Sequence, residues 1–124
     1  MKVLIIDDDK FLGTLLESEL HQANIEVTIA TSGDDGIQKV KEWKPDVVVL
    51  DLILPRTDGF EVLEKIHNLP EAKHTTIFIF STLAQEHDKA EALALGAKAY
   101  FMKGENTVHN IVDAICMLPP PAGK

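Results

Sequence analysis

Short apolar runs that alternate with helix-like stretches constrain the fold of this 124-residue chain more than any other feature. Runs that are apolar at every position, as in parallel sheets, are typical of strands buried on both faces. Three runs have this character, at 3–6, 47–50 and 77–80. Two weaker runs, at 27–30 and 99–102, are predicted to be strands nearer the sheet edges. The alternation predicts a parallel sheet with helices on both faces.

Apolar residues recur at helical spacing in each interval between the runs, and after the last one. The first such stripe comprises Phe11, Leu12, Leu15, Leu16 and Leu20. Five strand–helix units favour a flavodoxin-like (βα)₅ doubly wound sandwich with strand order 2-1-3-4-5. In that order the carboxyl ends of strands 1 and 3 are neighbours, and a ligand site is expected there.

Length and composition indicate one domain of ordinary globular character. We expect a domain at 1–118 and an extended, proline-rich tail at 119–124. The sequence has no apolar run near the roughly 20 residues of a membrane span. Cys116 is the only cysteine, so no intrachain disulfide is possible and a reducing, cytoplasmic setting is expected for the protein. Because Cys116 lies near the apolar face of the last predicted helix, we expect it to serve in packing rather than in redox chemistry. The net charge of −8 disfavours direct binding to nucleic acid or anionic membranes.

Acidic residues follow strands 1 and 3, at the predicted ligand site. Asp7, Asp8 and Asp9 follow the first strand, and Asp51 follows the third. Clustered carboxylates oppose one another's ionisation, and a divalent cation removes that cost. An all-oxygen set of ligands suits Mg²⁺. If each acid is considered alone, Asp8 or Asp9 could instead be the cap of the first helix.

Polar side chains also follow strands 4 and 5. Ser81 and Thr82 follow the fourth strand, and Lys103 follows the fifth. A hydroxyl and an ammonium beside a metal-bound carboxylate are the groups that bind a tetrahedral anion. Taken separately, Ser81 could cap a helix and Lys103 could be a solvated loop residue.

With these residues in place, the chain resembles a response-regulator receiver domain of the stand-alone chemotaxis-regulator type. The resemblance extends over residues 2–117. Its motifs are Val-Leu-Ile-Ile-Asp-Asp-Asp at 3–9, Asp-Leu-Ile-Leu-Pro-Arg-Thr-Asp-Gly at 51–59, Phe-Ser-Thr-Leu at 80–83 and Gly-Ala-Lys-Ala-Tyr-Phe-Met-Lys at 96–103.

The resemblance implies that Asp51 accepts a phosphoryl group from a phosphohistidine of a sensor histidine kinase or phosphotransfer protein. It also implies a Mg²⁺ ion, for which Mn²⁺ can substitute. The implied metal ligands are Asp7, Asp8, Asp51 and the backbone carbonyl of Ile53. The residues implied to bind the phosphoryl group or to transmit its arrival are Ser81, Thr82, Tyr100 and Lys103.

By the same resemblance, the chain is a switch in a two-component phosphorelay rather than a turnover enzyme. Its output is expected to pass through the face of helix 4, strand 5 and helix 5 to an unknown protein target. A homodimer through that face is left open. The alternatives are a pseudo-receiver that binds without phosphorylation and an aspartyl phosphatase of the haloacid-dehalogenase type. The phosphatase is disfavoured because Ile53 stands where that chemistry uses a second aspartate.

Four positions depart from the commonest receivers: Ile53, Thr82, Leu83 and Gly104. Gly104 replaces the usual proline after the lysine, so we expect a trans peptide there, or a strained cis one. Thr82 is bulkier than the usual alanine or glycine, and its hydroxyl could stand in for that of Ser81. Ile53 and Leu83 are apolar where receivers that hydrolyse quickly have polar side chains, which predicts slow loss of phosphate.

Overall fold

The computed structural model of the chain describes residues 1–83 and 85–121. Its elements, in chain order, are β1 (Lys2–Ile6), α1 (Lys10–Gln22), β2 (Glu26–Ala30), α2 (Gly33–Trp43), β3 (Val47–Leu50), β4 (Ile53–Leu54), β5 (Thr57–Asp58), α3 (Gly59–His67), β6 (Thr76–Ser81), α4 (Glu86–Ala94), β7 (Ala99–Met102) and α5 (Val108–Cys116). A single turn of 3₁₀ helix, Pro70–Ala72, lies between α3 and β6.

The main sheet has five parallel strands in the order β2-β1-β3-β6-β7. Counted within this sheet alone, the order is 2-1-3-4-5, so the predicted flavodoxin-like (βα)₅ fold is confirmed. The two weaker runs form the edge strands β2 and β7, also as predicted. None of the described helices is long and apolar enough to cross a bilayer.

The sheet separates two apolar layers. Successive residues of a strand point to opposite faces, so β1 contributes to both layers. Leu4 and Ile6 pack in the layer that contains α2 and α3, whereas Val3 and Ile5 pack against α1 and α5. Burial on both sides explains why the central strands are apolar at every position.

Side chains cap four of the five helices. Asp9 caps α1, since its Oδ1 accepts the Leu12 N–H at 3.1 Å. Ser32 and Asp58 cap α2 and α3 in the same manner. Thr107 forms a capping box with Asn110 at the start of α5. Asp9 is therefore the capping acid after β1, which leaves Asp7 and Asp8 for another role.

The predicted stripe of α1 is buried only in part, and the expected packing of Cys116 is wrong. Phe11 is 80% exposed and Leu15 is also exposed, because α1 buries only the side of its stripe that contains Leu16 and Leu20. Cys116 is exposed rather than packed in the core. The buried stripe of α5 ends at Ile115, and the next residue of a helix points about 100° away from it.

The short antiparallel hairpin β4–β5 was not predicted from the sequence. It follows Asp51 and pairs Ile53 with Asp58 and Leu54 with Thr57. Arg56, in its turn, has a positive φ of 61°. The hairpin leads directly into α3. Part of the predicted tail, residues 122–124, lies outside the described residues.

Candidate functional site

Two buried aspartates lie side by side at the carboxyl edge of the sheet. Ile6 and Leu50, the last residues of β1 and β3, are paired in register, so Asp7 and Asp51 follow at neighbouring strand ends. The Asp51 N–H donates to the Ile6 carbonyl at 2.9 Å. Asp7 is 4% exposed and Asp51 is 6% exposed. The predicted convergence of acids from strands 1 and 3 is therefore what the fold produces.

Asp8 completes a cluster that can bind a metal ion. One carboxylate oxygen from each of Asp7, Asp8 and Asp51 lies within 4.8 Å of the others. Asp8 is on the solvent side and the other two are buried. Three carboxylates, one of them open to water, fit a divalent cation such as Mg²⁺, which retains some of its waters. Within residues 1–83 and 85–121, no other group of His, Cys, Asp and Glu has ligand spacing.

Lys103 connects the two buried carboxylates. Its Nζ donates to Asp7 Oδ2 at 2.9 Å and to Asp51 Oδ2 at 3.0 Å. Its backbone N–H donates to the Ser81 carbonyl at 2.8 Å, which fixes the end of β7 against β6. The Lys103 side chain is only 18% exposed, so solvent screens these ion pairs weakly.

Burial and charge act in opposite directions on the pKa values of this cluster. Burial raises the pKa of Asp7, although the Asp9 N–H and Lys103 both favour the ionised carboxylate. Burial acts to lower the pKa of Lys103, but its contacts with Asp7 and Asp51 raise that pKa overall. The shared ammonium thus compensates the Asp7 charge incompletely, which leaves the site attractive to a further cation.

Ser81 lies at the end of β6, fully buried, and takes part in a weak hydrogen bond to the next segment. Its Oγ accepts the Leu83 N–H at 3.4 Å. Tyr100 is half-buried on β7, and its hydroxyl donates to the Leu83 carbonyl at 2.8 Å. Burial, followed by the negative charge of Asp88, raises the pKa of Tyr100. Leu83 therefore connects the serine and the tyrosine, a role that the sequence did not reveal.

Ile53, in the segment after Asp51, contributes its backbone to the site. Its N–H donates to Asp51 Oδ1 at 3.0 Å, and its side chain is 49% exposed. Gly59, at the start of α3, lies directly against the backbone of Leu52. The sequence pattern did not identify this contact, and its signal in the sequence is the single glycine after Asp58.

The segment after Lys103 differs from the arrangement expected with proline. No cis peptide occurs in the described chain, so the Lys103–Gly104 bond is trans, the first of the two predicted alternatives. Gly104 has a φ of 95°, which the ring of proline cannot adopt. Of the sequence-predicted residues, the structure joins Asp7, Asp8, Asp51 and Lys103 directly. Ser81 lies on the adjacent strand, and Thr82 is exposed beside it.

Comparison with known proteins agrees with this geometry. The family model of the response regulator receiver domain matches residues 3–115. Over 104 residues, the chain is 35% identical to the chemotaxis protein CheY of Thermotoga maritima, covering 82% of this chain and 84% of that protein. A solved CheY-like receiver domain protein from Methanospirillum hungatei has a TM-score of 0.84 and 27% identity, with coverage of 93% of this chain and 90% of that one.

A longer relative shows the same similarity in part of its length. The chain is 33% identical over 102 residues to the alkaline phosphatase synthesis transcriptional regulatory protein PhoP of Bacillus subtilis. That match covers 82% of this chain and 42% of PhoP, so the chain spans less than half of that relative. The fold, the acidic cluster and the match along 3–115 lead to one conclusion: the chain belongs to the response regulator receiver domain family.

Proposed function

We propose that this receiver domain is a phosphorylation switch in which the Asp51 carboxylate receives a phosphoryl group from a phosphohistidine. The donor is a sensor histidine kinase or a phosphotransfer protein. The observation that supports this role is the pair of contacts from Lys103 Nζ to Asp7 and Asp51. They place a fixed positive charge beside a buried carboxylate at the end of a strand.

In the proposed step, an Asp51 carboxylate oxygen forms a bond to phosphorus while the bond from phosphorus to the imidazole nitrogen breaks. The imidazole leaves as a neutral ring after it takes up a proton. Lys103 lies within hydrogen-bond distance of the acceptor carboxylate, so its ammonium stabilises negative charge on the transferring phosphoryl oxygens. The Ile53 N–H orients the carboxylate through Oδ1.

Asp7, Asp8 and Asp51 are the side chains proposed to hold Mg²⁺ or Mn²⁺, with the Ile53 carbonyl as a backbone ligand. A bound divalent ion would supply positive charge to the phosphoryl oxygens, as metals do in phosphoryl transfer generally. The raised pKa of Asp7 and the spacing of the three carboxylates support this assignment.

The proposed signal travels from Ser81 to Tyr100 through Leu83. A phosphoryl group on Asp51 offers the Ser81 hydroxyl a charged acceptor, and such a hydrogen bond is stronger than the 3.4 Å bond to the Leu83 N–H. Once that N–H is released, the Leu83 carbonyl that holds Tyr100 changes position. The result is a population shift on the face of α4, β7 and α5, to which a downstream protein or a second copy binds.

The apolar side chains near the acceptor set the expected lifetime of the phosphorylated state. The exposed Ile53 and the half-buried Leu83 have no group that can orient a water molecule for attack on phosphorus. We therefore propose that phosphate is lost over minutes or longer. The unit responsible is taken to be 1–118, with 119–124 as a tail, acting in the cytoplasm.

Mass spectrometry after incubation with Mg²⁺ and acetyl phosphate tests the proposal. We expect the wild-type chain to gain one phosphoryl group, and Asp51→Asn to gain none. Asp34→Asn, at an exposed position of α2, is the matched control and should react as the wild type does. If wild type gains nothing, the pseudo-receiver alternative is supported. Continuous release of phosphate at a high rate would favour the hydrolase alternative.

A further inference from the structure

A small groove between α3 and α4 lies outside the aspartate cluster. Its volume is about 140 Å³. The floor consists of Phe60 and Leu95, which are half-buried and pack on the core below. The remaining lining residues are exposed acids: Asp58, Glu61, Glu64 and Glu91. The groove thus combines an apolar floor with a rim of negatively charged side chains.

The two helices approach each other closely at their carboxyl ends. Near their carboxyl ends, Gly96 lies directly against the ring of His67, where a larger residue would not fit. Within α4, Ala92 is the buried residue, and Gln85 gives its first turn no side-chain cap. The amino-terminal turn of α4 lacks these restraints, whereas the groove lies beside the carboxyl-terminal half of α4, at Glu91 and Leu95.

In the part of the chain that the structure describes, the acids on the rim have no cationic partner. Among residues 1–83 and 85–121, the ion pairs of lysine and histidine involve other carboxylates. Glu61, Glu64 and Glu91 therefore face solvent with their charges uncompensated. A cation brought to this groove would be attracted from a distance and would replace no existing ion pair.

We propose that the groove binds one lysine or arginine side chain on a basic segment of a partner protein. The groove is small, about 140 Å³, and open to solvent, which suits one long side chain laid along its floor. Cofactor and small-molecule pockets are larger, at about 300 Å³ and above. These acids also lack the ligand spacing of the aspartate cluster, which disfavours a metal ion.

Each part of such a side chain has a matching surface. Its methylene stem packs along Phe60 and Leu95, as long cationic side chains do on apolar surfaces. Its charged end lies between Glu64, on α3, and Glu91, on α4. A side chain in this position contacts both helices at once, so its affinity depends on the distance between them.

That dependence couples the groove to the aspartate site, a step that rests on the proposed function. The segment between Asp51 and α3 is short, and α4 begins soon after Ser81. A phosphoryl group that draws Ser81 inward moves the segment before α4, and this changes the width of the groove. Binding of a basic side chain to the unphosphorylated protein does not depend on this step.

The test uses the full chain labelled with nitrogen-15 and a blocked peptide, acetyl-Leu-Arg-Leu-Leu-Arg-amide. The same peptide with citrulline, the uncharged analogue of arginine, is the control ligand. We expect the arginine peptide to shift backbone signals around Phe60 and Leu95, and the citrulline peptide to bind about tenfold more weakly. Shifts centred on another face would overturn the proposal.

Charge variants separate the groove from the acidic surface in general. The double variant Glu64→Gln/Glu91→Gln should weaken binding about fivefold, as two exposed ion pairs are lost. Glu26→Gln/Glu42→Gln removes the same charge at exposed positions elsewhere and should leave the affinity within about twofold. Equal losses of peptide affinity in the two double variants would refute binding at the groove. Trp43 fluorescence during urea unfolding verifies that each variant is folded.

A parallel measurement tests the coupling and keeps the two proposals distinct. Acetyl phosphate and Mg²⁺ are added, uptake at Asp51 is measured by mass, and the peptide affinity is measured again. We expect the affinity to change about fivefold or more in the phosphorylated state. Unchanged affinity despite full uptake refutes the coupling. No uptake in the wild type refutes the proposed function, whereas the result for the unphosphorylated groove stands.

Discussion

Gly59 is the position where the structure makes the sharpest prediction about a single atom. A Cβ at this residue would overlap the Leu52 carbonyl oxygen, Cα and carbonyl carbon, well inside van der Waals contact. All three are backbone atoms, so rotation of a side chain cannot relieve the clash. Gly59→Ala must therefore displace α3 or the backbone that follows Asp51.

The expected cost of Gly59→Ala is that of inserting an atom into a closely packed site. Such changes destabilise proteins by about 1–3 kcal/mol, with values near the upper limit where the obstructing atoms are backbone. Alanine is otherwise the better helix former, which offsets roughly 0.5–1 kcal/mol of the clash. We expect a net loss of about 2 kcal/mol in the free energy of unfolding.

Urea unfolding followed by the fluorescence of Trp43 measures this loss. Trp43 is the only tryptophan, and Lys2, at the start of β1, contacts it at the end of the sheet opposite the aspartates. It therefore reports global unfolding and not local change near Asp51. With a denaturant slope of about 2 kcal/mol per molar, the midpoint should fall by about 1 M.

Gly13→Ala is the matched control, because it makes the same change in another buried helix position. There a Cβ would meet the Ile29 side chain at 3.6 and 3.7 Å, which is ordinary contact. This variant should gain about 0.5–1 kcal/mol, so its midpoint should rise by about 0.25–0.5 M. A Gly59→Ala midpoint at or above that of the wild type would contradict the reasoning.

Three further predictions concern the site and its surroundings. Lys103→Met leaves two buried carboxylates without their cation, so with a chelator present the free energy of unfolding in urea should fall by about 3 kcal/mol. With Mg²⁺ present the loss should be clearly smaller. Equal losses under the two conditions would count against a metal ion at this cluster. The only tyrosine, Tyr100, should ionise above its ordinary pKa of 10.0 in an ultraviolet absorbance titration. Because the pKa of Tyr100 is higher in the folded than in the unfolded protein, its contribution to stability is fully present below the unfolded-state pKa and is lost as pH rises through the folded-state pKa. A titration midpoint at the ordinary pKa of tyrosine would contradict this prediction. At the positive φ of Arg56, Arg56→Ile should unfold about 1 kcal/mol more easily than Arg56→Asn, and identical midpoints would show that the turn is unstrained.

The sheet could be predicted from the sequence because its signal is repeated and strong. Residues 47–50 are apolar at every position, and a short β-branched run of this kind is typical of a strand buried on both faces. The convergence of Asp7 and Asp51 then followed from strand order alone. The role of Asp9 could not be assigned from the sequence, because a carboxylate can either cap a helix or bind a metal ion. Only the position of the first residue of α1 distinguishes the two roles.

Other features escaped prediction because they depend on tertiary packing. Strands β4 and β5 have two residues each, too few for any period to show. The exposure of Phe11 and Cys116 depends on which residues of an apolar stripe contact the sheet. The sequence pattern shows the stripe but not which of its residues lie at the centre of that contact. The connection through Leu83 uses a backbone carbonyl, which every residue has and which the sequence does not mark.

The loop at Gly104 has a consequence for how this sequence can diverge. A Cβ at Gly104 would meet nothing within 4 Å, so space does not exclude larger residues. The φ of 95° excludes proline absolutely and penalises most others. One substitution therefore cannot convert this loop to the lysine–proline form usual in receivers, because the backbone around Lys103 would have to be rebuilt at the same time. Divergence toward the lysine–proline form therefore needs a change of backbone conformation together with the change of residue.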